Sequence, residues 1–345
     1  MSFPAAAWIE EKLRDQAAGH GIPGVSYALS IHGDLVASGG IGVTSIEDPH
    51  PVTDRTLFQI GSTTKPAVAT AAARLVAGGL LRLDEPIGRL FDTAAARSFY
   101  GGMTLRDLLS HSAGLPREQV TPVRMYGDPG ASLAHYVERD LPQRGQGAAE
   151  GWGYSNAGFA VIAHALERAA GTPFPDLMQQ VVFDPLNMRR TTFDHATAVT
   201  FPVAAAHVDD DEGDIEVLRP APRNEALYPA AFLFSTATDL VRLGNLHLGF
   251  FESAEDLLPE TLRREMRKPH RETFDEELPA YGLGFYTEFP KTRQFGHVGG
   301  IGGYGARLDI DASSGAVGAV LFNRMPEEGW PEANLLRFVD QALEK

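Results

Sequence analysis

The pattern of apolar and polar residues predicts strands at both ends of the chain and helices in its middle. Residues 24–31 and 35–42 are largely apolar, and the turn-forming residues His32-Gly33-Asp34 join them, which indicates a β-hairpin. Four more strand-like stretches lie towards the C-terminus, over residues 282–288, 293–297, 304–310 and 316–323. A compact chain would pair the early hairpin with these late strands, so we expect one antiparallel sheet.

Helical patterns fill most of the remaining chain. An amphipathic helix is expected over residues 5–18, and a second helix, rich in Ala and Val, begins at Ser62 and stops at Gly78. Residues 83–227 are mostly helical with loops rich in Pro and Gly, and residues 331–344 predict a closing helix. The fold class expected from this order of elements is α/β, of the α+β type.

The composition limits the classes of function. The chain has 345 residues, a formal net charge of −15 and 43% hydrophobic residues, as in an ordinary soluble globular protein. Nucleic acids and anionic membranes bind basic patches, so we expect neither as a partner. The chain has no cysteine, which excludes disulfides and thiolate chemistry. No apolar run approaches the ~18 residues of a membrane span, and no signal-peptide pattern opens the sequence, so the expected location is cytoplasmic.

Ser62 and Lys65 form the first candidate site. They follow the apolar run 58–61 at a helix start, and residues three apart share a helix face, so the hydroxyl and the amine can meet. A serine there is close to unpaired backbone N–H groups and to the positive end of the helix dipole, which suits a nucleophile that attacks a carbonyl. In isolation, a helix-capping serine followed by a surface lysine is the commoner arrangement. Of the five lysines, only Lys65 has a serine three residues before it.

Tyr154 and Asn156 form the second candidate site. Of nine tyrosines, only Tyr154 has an asparagine two residues later, and it lies between the loop 151–153 and a predicted helix. A tyrosine there can project its hydroxyl towards a cleft, and the amide of Asn156 can donate to and accept from an amide or ester carbonyl. The simpler alternative is a half-buried tyrosine followed by a helix-capping asparagine.

His297, Gly299 and Gly300 form the third candidate site, where a strand runs into a stretch of glycines that allow a ligand to approach the backbone. A lone histidine in a strand is more often structural. Residues 300–305 also match G-x-G-x-x-G literally. We reject a dinucleotide site, because that motif must open a helix and residues 306–310 are strand-like.

No cofactor or metal site is predicted. The sequence has no H-E-x-x-H, phosphate-binding G-x-x-x-x-G-K-[ST] or G-x-S-x-G motif, and its histidines are scattered. The acidic stretch 209–214 does not fit a calcium loop, since Gly213 falls where a third ligand should be, so we interpret it as a solvated hairpin tip.

Taken together and in this order, the three motifs resemble those of the serine β-lactamase and penicillin-binding-protein superfamily. The closer resemblance is to the branch that holds class C β-lactamases, D-alanyl-D-alanine carboxypeptidases, D-aminopeptidases, family VIII esterases and related acyltransferases. It covers most of the chain, and three further stretches fit it: Phe58-Gln59-Ile60-Gly61, residues 108–116 and residues 234–240.

The resemblance implies a β-lactamase/transpeptidase-like fold in two parts. Residues 1–61 and 228–345 would form a discontinuous domain around the antiparallel sheet, flanked by helices. Residues 62–227 would form a mainly helical subdomain, with the active site between the two. Loops 115–151 and 200–230 would line the cleft and determine the substrate.

The resemblance also implies roles for the site residues. Ser62 would be the acylated nucleophile, and a hydroxyl needs a base within hydrogen-bond reach. Lys65 and Tyr154 are the candidates, and either would need a lowered pKa to act at neutral pH. We favour Tyr154 as the proton shuttle and Lys65 as its activator, with the proton acceptor left open. The backbone N–H groups of Ser62 and Gly300 would form the oxyanion hole, and Asn156 would hold the acyl-side amide or ester of the substrate.

His297 replaces the lysine of the better-known K-T-G form of the third motif, which in many lactamases faces the substrate carboxylate. A neutral or partly charged histidine weakens the expectation of efficient β-lactam turnover but does not exclude a peptidase. No counterpart of the extra deacylating glutamate of class A enzymes can be identified.

The function expected is that of a serine hydrolase that cleaves small esters or D-amino-acid amide or peptide bonds through an acyl-enzyme, without a cofactor. Its partner would be a small-molecule ester, amide or β-lactam, and the oligomeric state is not predicted. The alternatives are a true β-lactamase and a non-catalytic sensor that recognises penicillin.

Overall fold

An eight-stranded antiparallel sheet organises the fold, which a computed structural model describes over residues 6–116, 132–144, 151–276, 278–287, 294–326 and 334–337. Its strands are β1 Gly24–Ile31, β2 Asp34–Gly42, β7 Arg271–Glu272, β8 Ala280–Tyr281, β9 Tyr286–Thr287, β10 Gln294–Ile301, β11 Tyr304–Asp311 and β12 Ala316–Phe322. They lie side by side in the order β2-β1-β12-β11-β10-β9-β8-β7. Two small two-stranded sheets pair β3 Phe58–Gln59 with β6 Phe234–Ser235, and β4 His207–Asp209 with β5 Ile215–Val217.

Strands from the two ends of the chain pair with each other near the β2 edge of the large sheet. Strand β1 pairs with β2 on one side and with β12 on the other, where Tyr27 faces Val320 across the strands. The predicted hairpin and its pairing with late strands are therefore confirmed. The literal G-x-G-x-x-G stretch spans the β10–β11 turn and leads into strand β11, as predicted for residues 306–310, and does not open a helix.

Both faces of the sheet are covered, and side chains alternate between them. On β12, Val317, Ala319 and Leu321 join the main core, whereas Val320 and Phe322 join a second core on the opposite face. This alternation follows from the two-residue repeat of a strand. Because both faces are covered at β12, this strand is apolar and buried along its whole length, which made it visible in the sequence.

Helices surround the sheet and form the middle of the chain. They are α1 Ala6–Gly19, α2 Thr64–Ala77, α3 Ala94–Phe99, α4 Leu105–Leu109, α5 Leu133–His135, α6 Leu141–Arg144, α7 Asn156–Ala170, α8 Phe174–Met178, α9 His195–Ala198, α10 Tyr228–Ala231, α11 Ala237–Leu248, α12 Ala254–Leu257 and α13 Glu260–Arg267. Helix α1 contributes to the second core, and α11 packs through the main core. None of the helices in the described ranges has both the length and the apolar character needed to cross a membrane.

Three local signals in the sequence account for helix boundaries. Thr104 and Asp107 form a complete capping box at the start of α4. The hydroxyl of Ser155 accepts from the N–H of Gly158 and caps α7, and Gly171 ends that helix in the left-handed conformation with φ of 67°.

The acidic stretch 209–214 lies at the turn between β4 and β5, as expected for a hairpin tip.

The predicted strand over residues 282–288 is wrong for most of its length. Only Tyr286–Thr287 is a strand there, and a turn separates it from β8. Gly284 adopts φ of 84°, which suits glycine, and its N–H donates to the carbonyl of Leu109 at 3.0 Å, outside the sheet.

Most of the predicted closing helix 331–344 lies outside the described residues. The structure describes residues 334–337 of this stretch, and residues 335–337 are helical. The division into a sheet domain and a helical subdomain stays a prediction.

Candidate active site

Ser62 lies in a single turn of 3-10 helix, Gly61–Thr63, which connects β3 to α2. Its side chain is partly accessible, whereas those of Thr63 and Lys65 are fully buried. Thr63 is the N-cap residue of α2, and no side chain there makes a capping hydrogen bond. The common alternative for Ser62, a helix cap, is therefore not what the structure shows.

Lys65 directs its amine at Ser62 and at two carbonyl groups. Its Nζ lies 3.0 Å from the Ser62 Oγ, and it donates to the Asn156 Oδ1 at 2.8 Å and to the backbone oxygen of Ala230 at 2.9 Å. Burial lowers the pKa of Lys65 well below its usual range, because a buried ammonium loses its hydration. A neutral amine has two N–H bonds and one lone pair. When the amine is neutral, its two N–H bonds can go to the two carbonyls, and its lone pair then faces the hydroxyl of Ser62.

Tyr154 lies on the other side of Ser62, just before α7. The Lys65 Nζ is 4.8 Å from the centre of the Tyr154 ring. Burial of the hydroxyl raises the pKa of Tyr154 well above its usual range, and the phenol of Tyr286 adds to this, whereas a hydrogen bond with Ser62 acts in the opposite direction. The phenol therefore holds its proton at neutral pH.

Asn156 is buried at the first residue of α7 and contacts Lys65 through its Oδ1. Asn156 is predicted from the sequence to bind the amide or ester of the substrate, and its contact with Lys65 is not predicted. Its contact with substrate stays a prediction, while its contact with the amine shows how the helix that follows Tyr154 is connected to the helix that carries Lys65.

His111 is a residue of the site that the sequence argument did not select. Its Nδ1 accepts from the N–H of Ser155 at 3.1 Å, and its carbonyl accepts from the N–H of Gly153 at 2.9 Å. Its ring centre lies 4.3 Å from that of Tyr154. His111 therefore holds the backbone on both sides of Tyr154 and packs on its ring. In the sequence, His111 could be noticed only as part of residues 108–116, a stretch that fits the resemblance to the superfamily but does not indicate a role for this histidine.

His297 is fully buried on β10, and its hydrogen bonds define a neutral ring. Its Nδ1 lies 2.6 Å from the carbonyl oxygen of Val298, which can only accept, so Nδ1 carries the proton. Its Nε2 then accepts from the hydroxyl of Tyr281 at 3.0 Å. Burial is the main cause that lowers the pKa of His297 to about 3, and the charge of a protonated Lys65 nearby contributes to that value. His297 is therefore not a cation at neutral pH.

Glycines bring β10 against the turn that carries Ser62. A Cβ placed on Gly61, which has φ of 51°, would lie 2.3 Å from the backbone nitrogen of Gly300. A Cβ on Gly299 would lie 2.2 Å from the carbonyl oxygen of Ile60. Both distances are shorter than any side chain tolerates, so only glycine permits this approach. The predicted donors of the oxyanion hole, the N–H groups of Ser62 and Gly300, thereby belong to adjoining segments.

The family follows from comparison with known proteins. A model of the family described as beta-lactamase matches residues 9–341. The chain belongs to the beta-lactamase family. This member is 28% identical to penicillin-binding protein 4 of Amycolatopsis lactamdurans, over 94% of this chain and 86% of that protein. It is 29% identical to esterase EstB of Burkholderia gladioli, over 74% of this chain and 72% of the esterase.

A solved structure supports the fold of this family member along its whole length. The D-amino acid amidase from Ochrobactrum anthropi SV3, complexed with L-phenylalanine, matches with a TM-score of 0.80 at 26% sequence identity, and the match covers 97% of each chain. The predicted β-lactamase-like fold, a mixed α/β protein with an antiparallel sheet flanked by helices, is thus confirmed.

Proposed function

We propose that this protein is a serine hydrolase that cleaves small esters or D-amino-acid amide bonds through an acyl-enzyme on Ser62. The observation that carries the proposal is the arrangement around Lys65, whose Nζ lies 3.0 Å from the Ser62 Oγ and within hydrogen-bond distance of the carbonyl oxygens of Asn156 and Ala230. The relatives support the class of reaction, since one is named an esterase and another a D-amino acid amidase.

Lys65 is the general base in this proposal. It takes the proton of the Ser62 hydroxyl while Oγ bonds to the substrate carbonyl carbon and the carbonyl oxygen becomes an oxyanion. The backbone N–H groups of Ser62 and Gly300 would stabilise that oxyanion, a contribution worth about 10²–10³ in rate for one donor. The lowered pKa of Lys65 and the raised pKa of Tyr154 support this assignment, rather than Tyr154 as the proton acceptor.

Tyr154 acts as the acid that releases the leaving group. Its phenol donates a proton to the leaving oxygen or nitrogen as the carbonyl re-forms, and the ammonium of Lys65 then protonates the phenolate of Tyr154, which restores both groups. Water then attacks the acyl carbon and passes its proton to Lys65, Tyr154 protonates the Ser62 oxygen as the acid product leaves, and Lys65 again returns a proton to Tyr154. The atoms and charges balance over the cycle without a cofactor.

The neutral state of His297 bears on the substrate. A lysine at this position would supply a charge for a carboxylate, whereas the ring of His297 is occupied by Val298 and Tyr281. We therefore propose substrates that do not depend on a carboxylate at this point, which favours esters and amides over β-lactams.

A panel of p-nitrophenyl esters, D-amino-acid p-nitroanilides and a chromogenic cephalosporin tests the proposal on one preparation. We expect turnover of an ester or anilide, its loss in Ser62→Ala, and unchanged turnover in the control Ser253→Ala, which alters an exposed serine. Efficient hydrolysis of the cephalosporin alone would point to a β-lactamase. Binding of penicillin without hydrolysis of any member would contradict the proposal and favour a sensor.

A further inference from the structure

A cavity of about 580 Å³ opens beside Tyr154. It is lined by three residues from the loop before α7 and four from the segment between β7 and β9: Trp152, Gly153, Tyr154, Thr273, Phe274, Asp275 and Tyr286. Because Tyr154 belongs both to this cavity and to the proposed catalytic site, the cavity adjoins the place where the substrate reacts. In the proposed mechanism Tyr154 protonates the leaving group, so the cavity lies where the leaving group would sit.

The lining combines aromatic rings with a single charged side chain. Trp152, Tyr154 and Tyr286 contribute rings, and Phe274 adds one at the mouth, where its side chain is 86% exposed. Asp275 is the only carboxylate among these lining residues, and it is exposed. Aromatic faces attract cations through their negative centres, and a carboxylate does so directly.

Acidic residues outnumber basic ones in the segment around Asp275, where the exposed Arg271 is the one basic residue among positions 271–276. Glu272 and Glu276 flank Asp275 in the sequence, and both are exposed. Within the described part of the site, burial lowers the pKa of both Lys65 and His297, which disfavours a positive charge on either side chain that could attract an anionic leaving group. The formal net charge of −15 adds a field that favours cations over anions.

We propose that this cavity binds a positively charged leaving group, so that the preferred substrates are esters or amides whose alcohol or amine part carries an ammonium. The inference rests on the proposed function for the acyl transfer itself. Trp152 and Tyr286 provide the aromatic faces, and Asp275 provides the counter-charge. The selectivity is opposite to that of a site with a lysine for a substrate carboxylate.

Three aryl acetates that share one acyl group test this proposal. They are 3-(trimethylammonio)phenyl acetate, its uncharged isostere 3-tert-butylphenyl acetate, and the anionic 3-carboxyphenyl acetate. All three form the same acetyl-enzyme, so differences in kcat/KM report the leaving group alone. We expect the cationic ester to have the highest kcat/KM and the anionic ester the lowest.

Two substitutions separate a local contact from a general field. Asp275→Asn removes the charge and keeps the Oδ1 that accepts from the N–H of Leu278. It should lower kcat/KM for the cationic ester by about three- to tenfold, the size expected for one exposed charge, and leave the tert-butyl ester within about twofold. Glu276→Gln removes the same charge one residue away, outside the lining, and should change both esters by less than about twofold.

A binding measurement separates this proposal from the proposed function. Phenyltrimethylammonium and tert-butylbenzene derivatives are titrated by calorimetry into Ser62→Ala and into Ser62→Ala combined with Asp275→Asn. Weaker binding of the cation in the double variant supports the cavity even if no acetate is hydrolysed, an outcome that would contradict only the proposed function. No preference for the cation over its isostere, or equal losses in Asp275→Asn and Glu276→Gln, would overturn the inference.

Discussion

The backbone of Gly61 lies so close to that of Gly300 that a Cβ on Gly61 would be 2.3 Å from the Gly300 nitrogen. The two residues are far apart in the sequence, one before the proposed nucleophile and the other after the third motif. Their contact places the turn that carries Ser62 against strand β10. The geometry of the proposed oxyanion hole therefore depends on the absence of one methyl group.

Gly61→Ala should lower kcat/KM for an ester by about 10²–10³, because β10 must move away and one oxyanion donor is lost. The positive φ of Gly61 adds backbone strain for alanine. Hydrolysis of a p-nitrophenyl ester measures the effect, and circular dichroism checks the fold. Gly102→Ala is the matched control, since a Cβ there meets no atom within 4 Å. Near-normal turnover by folded Gly61→Ala would contradict the close approach.

Lys65→Arg should abolish turnover, because a guanidinium keeps its proton and cannot act as a base. We expect a loss of about 10²–10⁴, the usual contribution of general acid–base catalysis. The pH profile of kcat/KM provides a second measurement. Since burial lowers the pKa of Lys65, activity should rise with pH through a limb well below the usual pKa of lysine.

Tyr154→Phe distinguishes the two candidate bases. If Lys65 is the base, the acidic limb of the profile should persist in Tyr154→Phe, although kcat falls because the leaving group loses its acid. The alkaline limb, which reports the loss of the phenolic proton of Tyr154 above its raised pKa, should disappear in this variant. Disappearance of the acidic limb instead would assign the base to Tyr154.

His111 should act as a positioning residue for Tyr154, and two substitutions test this. His111→Ala removes the ring that packs on Tyr154 and the acceptor for the Ser155 N–H, so kcat should fall by about 10–100-fold with little change in KM. His111→Asn keeps an acceptor and tolerates the positive φ of 57°, so it should recover part of the loss.

The pH profile separates positioning by His111 from a general loss of structure. A displaced Tyr154 is better hydrated, so the alkaline limb should move to lower pH in His111→Ala. Equal losses in the two variants with an unchanged alkaline limb would show that His111 does not act through Tyr154.

His247 should make the folded state less stable in acid. It is buried on α11, its Nε2 is 2.8 Å from the Thr70 Oγ1, and burial lowers its pKa to about 3. The unfolded chain, with a pKa of about 6.5, binds more protons than the native state between these values, so stability is lost as the pH falls from 6.5 towards 3. One such group changes the free energy of unfolding by at most about 1.4 kcal/mol per pH unit.

Urea unfolding at several pH values measures this effect. His247→Gln keeps a hydrogen-bond donor for Thr70 but does not titrate, so the dependence on pH should be shallower between pH 4 and 6 by about 1 kcal/mol per pH unit. The buried His111 and His297 contribute in both proteins and cancel. An identical slope in both proteins would show that His247 is protonated without cost.

The sequence predicted the parts of the fold that depend on local chemistry. The β1–β2 hairpin was readable because turn residues separate two apolar runs, and α7 because Ser155 and Gly171 mark its ends. The strand predicted over 282–288 was wrong because apolar residues there satisfy their backbone groups through contacts such as that of Gly284 with Leu109. Such contacts between distant segments leave no local pattern.

The candidate site shows the same limit. Ser62 and Lys65 were visible because both lie within one turn, and their contact of 3.0 Å is local. The second acceptor of Lys65, the carbonyl of Ala230, is a backbone group far along the chain, so no residue type marks it. The pKa of Lys65 is lowered because the whole fold buries its amine. This burial cannot be deduced from the sequence, so the sequence alone does not distinguish Lys65 from Tyr154 as the base.

Intact mass spectrometry of the protein quenched in acid during turnover of a p-nitrophenyl ester tests the central claim most directly. The account predicts a species heavier by the acyl group, located on the peptide that contains Ser62, which forms with the burst of p-nitrophenol and is absent from Ser62→Ala. Turnover retained in Ser62→Ala, or an acyl group found on another residue in the wild-type protein, would contradict it.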